Sequence, residues 1–373
     1  MKKPKLIFYG VKYFPSQGGT SRVVENIIKN LKDKYDITIL CYRNSQAPGY
    51  MPGIKVIQFS DWPGGSPGAL FYFLRSALYL LLFKKFDLIH IHKIDAALFI
   101  PWFYKKSKVI ATSHESAYLR DKWSKIERQF LLFSEHIFIK SKATVTCISN
   151  PLTVIYKEKY GRDVIYIPNG ITIKNHYKEE KAQQLLKKYN LSENQYLFFA
   201  ARRIMKTKGC HTMLEALNRI NFKGKIVIAG DLSHAPGYVK VLQTKYTNLD
   251  TIYTGYIGDL PLLLTLIKKA QYFIFPSETE GMSIMLLEAA STLTPIICSD
   301  IKENREVFND QHLTFFENMN PDDLGDKINQ ADSAPLQLKT KAEAALTHIK
   351  NKYCWENIAD MYHQLYQQEL HFN

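Results

Sequence analysis

The sequence predicts an α/β chain of two Rossmann-like domains, each a doubly wound parallel sheet, and three observations predict it. Short apolar runs alternate with helical stretches from the first residues onward. That rhythm stops near residue 170 and then restarts. The length, 373 residues, is too great for one ordinary core and suits two. Hydrophobic residues at 46% and charged residues at 23% are near folded-domain averages, which excludes a disordered or collagen-like chain.

Strands are expected at Lys5–Tyr9, Ile37–Tyr42, Ile54–Phe59, Leu88–His92, Val109–Ser113, Val145–Ile148 and Val164–Ile167, with a helix over Thr20–Lys32. Pro168-Asn169-Gly170 is a turn tripeptide suited to a linker, and the polar stretch Lys174–Asn194 follows it. The boundary is therefore placed between residues 169 and 170. Strands resume at Tyr196–Ala200, Lys225–Ala229, Thr251–Tyr253, Tyr272–Phe275 and Pro295–Ser299. The closing segment, Cys354–Leu370, has helical periodicity. Architectures of this kind send a final helix back across the cleft, so residues 355–373 are expected to rejoin domain 1–169 and leave 170–354 as the second.

The five cysteines lie far apart with no Cys-x-x-Cys pair, which fits a reducing cytoplasm. The apolar run Leu6–Tyr9 ends too soon at Gly10 to be a secretory core and reads as a first strand. The net charge of +14 is carried wholly by residues 1–170, where 26 Lys and Arg face 12 Asp and Glu. A basic half beside a neutral half points to an anionic partner met by one domain, or to a surface kept basic for solubility.

The segment Ala69–Phe83, broken by Arg75 and followed by Lys84-Lys85, is shorter than the roughly 20 residues that cross a bilayer. Two readings fit it, a core helix and a helix lying in the membrane interface. Trp102-Phe103-Tyr104-Lys105-Lys106 repeats the aromatic and basic theme.

The stretch most suggestive of chemistry is Pro276-Ser277-Glu278-Thr279-Glu280-Gly281-Met282-Ser283-Ile284-Met285-Leu286-Leu287-Glu288-Ala289. It leaves a buried strand, passes through a glycine-containing loop and enters a helix, with Glu280 in the loop and Glu288 two turns along. Loop amides and a helix N-terminus attract phosphate, while carboxylates accept hydrogen bonds from sugar and ribose hydroxyls. The plainer alternative makes Glu278 and Glu280 first-turn acids favoured by the helix dipole.

Glu280-x7-Glu288, preceded by Pro276-Ser277, resembles the donor motif of glycosyltransferase family 4, retaining enzymes of the GT-B fold in which two Rossmann-like domains face a cleft. Further segments match in the family's order: Gly18-Gly19-Thr20-Ser21-Arg22, Ile167-Pro168-Asn169-Gly170, Arg203 with Lys208-Gly209, Ala229-Gly230-Asp231, Thr254-Gly255-Tyr256, and Pro295–Asp300 with Asn304–Val307. His114–Trp123 is similar to the His-x5-Arg-x-Lys-Trp stretch of a bacterial subgroup that includes rhamnosyltransferase-like enzymes of capsule and O-antigen assembly.

The resemblance implies residue roles. Gly18, Gly19, Arg203 and Lys208 would meet the donor diphosphate, His114 and Glu280 the donor sugar, Glu288 the ribose, and Gly255 and Tyr256 the base. Amides over Gly281, Met282, Ser283 and Ile284 would complete the phosphate site. Arg120 would contact phosphate or acceptor, or anchor its loop. Arg202 stands where the family keeps a glycine, so it and Arg203 can exchange roles. Ile301-Lys302-Glu303 replaces the usual Gly-Gly of the closing block, and Ile171-Thr172 replaces Ile-Asp.

Retention without an evident enzymic nucleophile fits front-face attack, in which the protein stabilises the departing diphosphate. No Asp-x-Asp motif or zinc-spaced cluster occurs, and Asp322-Asp323 reads as helix capping, so neither metal nor cofactor is expected. The expected partners are a nucleotide-sugar donor, a glycan or lipid-linked acceptor, and the anionic inner face of the cell membrane. Competing functions are a nucleotide-sugar epimerase or phosphorylase of the same fold, a membrane-associated scaffold, and a basic nucleic-acid-binding protein. The last would need a recognisable module, and none is present.

Overall fold

The computed structural model of the chain describes residues 3–16, 19–43, 49–83, 85–114, 124–173 and 177–371. The chain divides into two compact units, residues 1–169 with 355–373, and residues 170–354.

The first unit contains β1 (Lys5–Tyr9), α1 (Thr20–Leu31), β2 (Asp36–Tyr42), β3 (Lys55–Phe59), α2 (Gly65–Phe83), β4 (Leu88–His92), α3 (Ile100–Phe103), β5 (Lys108–Ser113), α4 (Lys125–Lys140), β6 (Thr144–Cys147), α5 (Asn150–Tyr160) and β7 (Ile165–Tyr166). Its seven strands pair in the order β3-β2-β1-β4-β5-β6-β7, all parallel. A parallel sheet covered on both faces needs nearly continuous apolar strands, and β4 is buried along its whole length although two of its five residues are histidines. The chain's last helix, Trp355–His371, belongs to this unit: Tyr35 Oη lies 2.8 Å from His363 Nδ1, and Tyr366 Oη lies 2.6 Å from His90 Nδ1.

The second unit contains α6 (Glu179–Lys188), β8 (Tyr196–Arg203), α7 (Cys210–Arg219), β9 (Lys225–Asp231), α8 (Pro236–Lys245), β10 (Thr251–Gly255), α9 (Leu260–Lys268), β11 (Tyr272–Phe275), α10 (Ile284–Ala290), β12 (Ile296–Ser299), α11 (Lys302–Val307), β13 (Thr314–Phe316), α12 (Pro321–Ser333) and α13 (Pro335–Lys352). The Trp355–His371 helix is hereafter α14. Six parallel strands run β10-β9-β8-β11-β12-β13.

Three details depart from expectation. Strand β13 was not anticipated; with three residues it is too short for a period-two signal. Strand β8 runs three residues further than expected, so Arg202 and Arg203 close a strand and do not open a loop. Helix α12 is capped by Asn320, whose side chain accepts from the amides of Asp322 and Asp323 at 3.0 and 3.1 Å; the two aspartates are first-turn acids and not the cap.

Helix α2 has two apolar faces. Tyr72, Phe73, Ala77 and Leu80 are buried in the unit's core, while Leu70, Phe71, Leu74, Leu78 and Leu82 are exposed. At 100° per residue the exposed five fall within an arc of about 120°. Among the described residues, no helix is long and apolar enough to cross a membrane.

Candidate active site

In doubly wound sheets the crevice opens where strand order reverses, beyond the strands' C-terminal ends. In the second unit this point lies between β8 and β11, and the loops leaving those two strands carry the basic and acidic residues singled out above.

The loop after β8 forms a 3-10 turn over Lys206–Lys208 and ends on Gly209 at φ 67°. The loop after β11 begins at Pro276 and reaches α10 through Ser283, whose hydroxyl accepts from Leu286 N at 3.3 Å. The two loops touch backbone to backbone. Glu278 N donates to Thr207 O at 3.0 Å, and a Cβ on Gly209 would stand 1.8 Å from Pro276 O. That contact carries Lys208 to Glu280, with Nζ donating to Oε1 at 2.6 Å and both side chains largely shielded from solvent.

Neither Glu278 nor Glu280 is a first-turn acid, because α10 starts only at Ile284 and its first turn holds no acidic residue. Glu288 is the helix's fifth residue, one turn along where two were expected, and is buried with Met282. Arg202 and Arg203 are exposed at the end of β8, where Arg203 registers with Asp231 of β9. Gly255, at φ 75°, and the exposed Tyr256 close β10 at the same C-terminal edge.

One further carboxylate emerges here. Burial first, and then the charge of Glu280, raise the pKa of Glu303 above its ordinary value. Glu303 occupies the closing block where the family's glycines were missing, and that departure was its only trace in the sequence.

In the first unit the reversal lies between β1 and β4. Gly10 ends β1 at φ 84°, and a Cβ there would stand 2.9 Å from His92 O, so only glycine lets the two strand ends meet closely. His114 leaves β5 beside them, its Nε2 3.2 Å from His92 Nδ1. Gly19 is exposed and caps α1 at φ 56°. Gly18 and Arg120 lie outside the described residues, as do Lys122 and Trp123.

Glu25 was missed in the sequence because α1 reads as an ordinary amphipathic helix. Its buried carboxylate accepts from Ser16 N at 2.6 Å, Lys29 Nζ at 2.6 Å and Tyr50 Oη at 2.8 Å, which ties Ser16 and Tyr50 to α1. Burial raises its pKa, and the donors from Lys29, Ser16 and Tyr50 more than offset that, leaving it below 4.5. A folded-state pKa below the unfolded one stabilises fully above the unfolded value, and the contribution is lost as pH falls through the folded value. Glu25→Gln is therefore expected to cost about 1–3 kcal/mol at pH 7. In urea titrations the gap from the parent protein should close on acidification below about pH 4.5; a gap independent of pH would contradict this account.

Comparisons with known proteins bear on both units. Residues 17–175 match the family model described as Glycosyltransferase Family 4, and residues 181–346 match that described as Glycosyl transferases group 1. The chain belongs to these glycosyltransferases. The transferase is 23% identical over 367 residues to the O-antigen biosynthesis glycosyltransferase WclY of Escherichia coli, covering 93% of this chain and 94% of that one. It is 28% identical over 177 residues to TuaC of Bacillus subtilis, named for teichuronic acid biosynthesis, a match spanning 47% of this chain and 43% of that protein. A crystal structure of Anabaena HepE in complex with UDP and glucose superposes with a TM-score of 0.81 at 17% identity, covering 98% of the transferase and all of HepE. The transferase thus has the GT-B fold.

Proposed function

We propose that the transferase moves a hexose-type sugar from a nucleoside diphosphate donor to a glycan or lipid-linked acceptor in surface-polysaccharide assembly, with retention at the anomeric carbon. The observation that carries this is the Lys208–Glu280 pair at the strand-order reversal of the second unit. A cation that can bind a diphosphate stands beside a carboxylate that can accept sugar hydroxyls. HepE, with UDP and glucose bound on the same fold, and WclY and TuaC, named for polysaccharide biosynthesis, support the donor class and the pathway class.

In the reaction, Arg203 and Lys208 neutralise the departing diphosphate, helped by amides of Gly19 and of the 281–284 loop. Glu280 and His114 hold the donor sugar, Glu288 the ribose, and Gly255-Tyr256 the base. Arg202 and Arg120 serve the phosphates or the acceptor. With two side-chain cations assigned to the diphosphate, catalysis needs no metal ion. The test is product analysis in the presence of EDTA. An α-linked donor should yield an α-linked product at an undiminished rate; a β-linked product or abolition by EDTA would overturn the corresponding part.

We also propose that the first unit docks on an anionic lipid surface through the exposed stripe of α2. Lys106 donates to Leu81 O, so the Trp102–Lys106 segment is fastened to the end of that helix, and the two aromatic and basic segments of the sequence form one patch. Arg75 lies over the Phe71 ring at 5.6 Å, and Trp102, Tyr104, Lys85 and Lys105 are exposed. Apolar anchors bordered by cations fit acyl chains beneath acidic headgroups. Sedimentation with phosphatidylglycerol vesicles should fall at least about tenfold in Leu74→Glu/Leu78→Glu, from the loss of about 1.5–3 kcal/mol per anchor. Indifference of the parent protein to such vesicles, or a dimer dispersed by the same substitutions, would refute the docking.

A further inference from the structure

Strand β4 carries His90 and His92 on one face, deep in the first unit, and both side chains are completely buried. His90 is satisfied at both nitrogens: Nδ1 lies 2.6 Å from Tyr366 Oη of α14, and Nε2 lies 2.6 Å from Thr112 Oγ1 of β5. Its ring packs on that of His92 at 3.8 Å between centroids, with Phe8 of β1 stacked on the other histidine at 5.7 Å. His92 is satisfied at one nitrogen only. Nδ1 meets His114 Nε2 at 3.2 Å, while Nε2 is buried with no hydrogen-bond partner among the described residues.

That asymmetry selects a proton arrangement. Burial first, and then neighbouring charges, hold His114 down to about 3 and lower His90 and His92 as well, so the three rings are neutral and each carries one proton. If His114 donated to His92, the proton of His92 would sit on Nε2 as a buried N–H with no acceptor among the described residues, which native interiors rarely tolerate. If His92 Nδ1–H donates to His114 Nε2, the orphan is a lone pair and the proton of His114 lies on Nδ1.

We infer that His92 is a positioning residue that fixes His114 as the Nδ1–H tautomer, so that His114 offers a hydrogen-bond donor, and not a base, toward the reaction. This rests on the proposed role of His114 at the donor sugar. It goes beyond that role in naming which nitrogen carries the proton and which residue sets it. The column Tyr366–His90–His92–His114 also links the chain's last helix to that choice.

Two readouts separate the inference from the reading beneath it. In long-range ¹H–¹⁵N spectra of the histidine side chains, the parent protein should show His114 protonated at Nδ1 and bare at Nε2. His92→Phe keeps the ring stack and removes Nδ1, and it should lower kcat roughly tenfold to a hundredfold, the usual effect of losing an orienting partner, while KM for the donor changes little. His92→Asn places an amide near the former Nδ1 and should recover most of that loss together with the Nδ1–H signal. A His114 protonated at Nε2, or a tautomer unchanged in His92→Phe, would overturn the inference whatever the activity. A tautomer that shifts while kcat does not would uphold the pairing and instead overturn the part assigned to His114 in transfer.

Discussion

Replacing Glu280 or Lys208 by alanine lowers nucleoside diphosphate release from donor and acceptor by roughly 10²- to 10³-fold, the scale for removing one pre-placed charged group from a developing charge. The two substitutions fail differently. Lys208 Nζ lies 2.6 Å from Glu280 Oε1, so Glu280→Ala frees a cation for the diphosphate and should leave nucleoside diphosphate affinity intact while kcat collapses. In the proposed role Lys208 gives the diphosphate a charge-assisted hydrogen bond worth about 1.5–3 kcal/mol, so Lys208→Ala should weaken that affinity roughly tenfold to a hundredfold. The double variant should be little worse than the more damaging single one, because groups acting as a unit are not additive. Calorimetry with UDP and GDP alongside turnover separates these outcomes. Equal loss of nucleotide affinity in both variants would show that the pair is only a structural clamp.

Gly209→Ala is expected to have the largest effect on folding. Its φ of 67° alone costs an alanine about 1–2 kcal/mol. The new methyl would also stand 1.8 Å from Pro276 O and 2.7 Å from Pro276 C, both backbone atoms that cannot rotate away. Relief requires lifting the Lys206–Lys208 turn off the β11 loop, which breaks the bond from Glu278 N to Thr207 O and separates Lys208 from Glu280. A loss above about 4 kcal/mol is expected, large enough to lower Tm by roughly 10 °C and to abolish transfer. Gly255→Ala is the control. It shares a positive φ, at 75°, but its Cβ would meet nothing within 4 Å, so only the backbone strain remains. Similar melting shifts for the two variants would mean that the loops do not interlock as described.

The parts of the fold legible in the sequence were those that repeat. Buried parallel strands are continuous apolar runs, and seven of them marked the first sheet and five the second. Strand β13 escaped because three residues, Thr314-Phe315-Phe316, are no run at all. The loop residues Lys208 and Glu280 were legible through motif resemblance, but their contact across 72 residues of separation was not, since it depends on Gly209 passing under Pro276. Glu25 was invisible for a related reason: its meaning comes from Ser16 and Tyr50, which reach it only in the folded chain. The pair His90 and His92 did leave a signal. Two polar residues two apart in a strand otherwise made of Leu and Ile must share a buried face, and a buried polar face needs partners.

In the proposed function the second unit's strand-order reversal, armed with Lys208 and Glu280, activates a nucleotide sugar. The most direct measurement is nucleoside diphosphate release by purified protein from UDP-, GDP- and dTDP-sugars with a cell lipid extract as acceptor, run in parallel on Glu280→Ala. Release with one donor class in the parent protein, and loss of that release in the variant, are expected. Release that persists unchanged in Glu280→Ala, or none from any donor while the parent protein still binds nucleoside diphosphate, would contradict it.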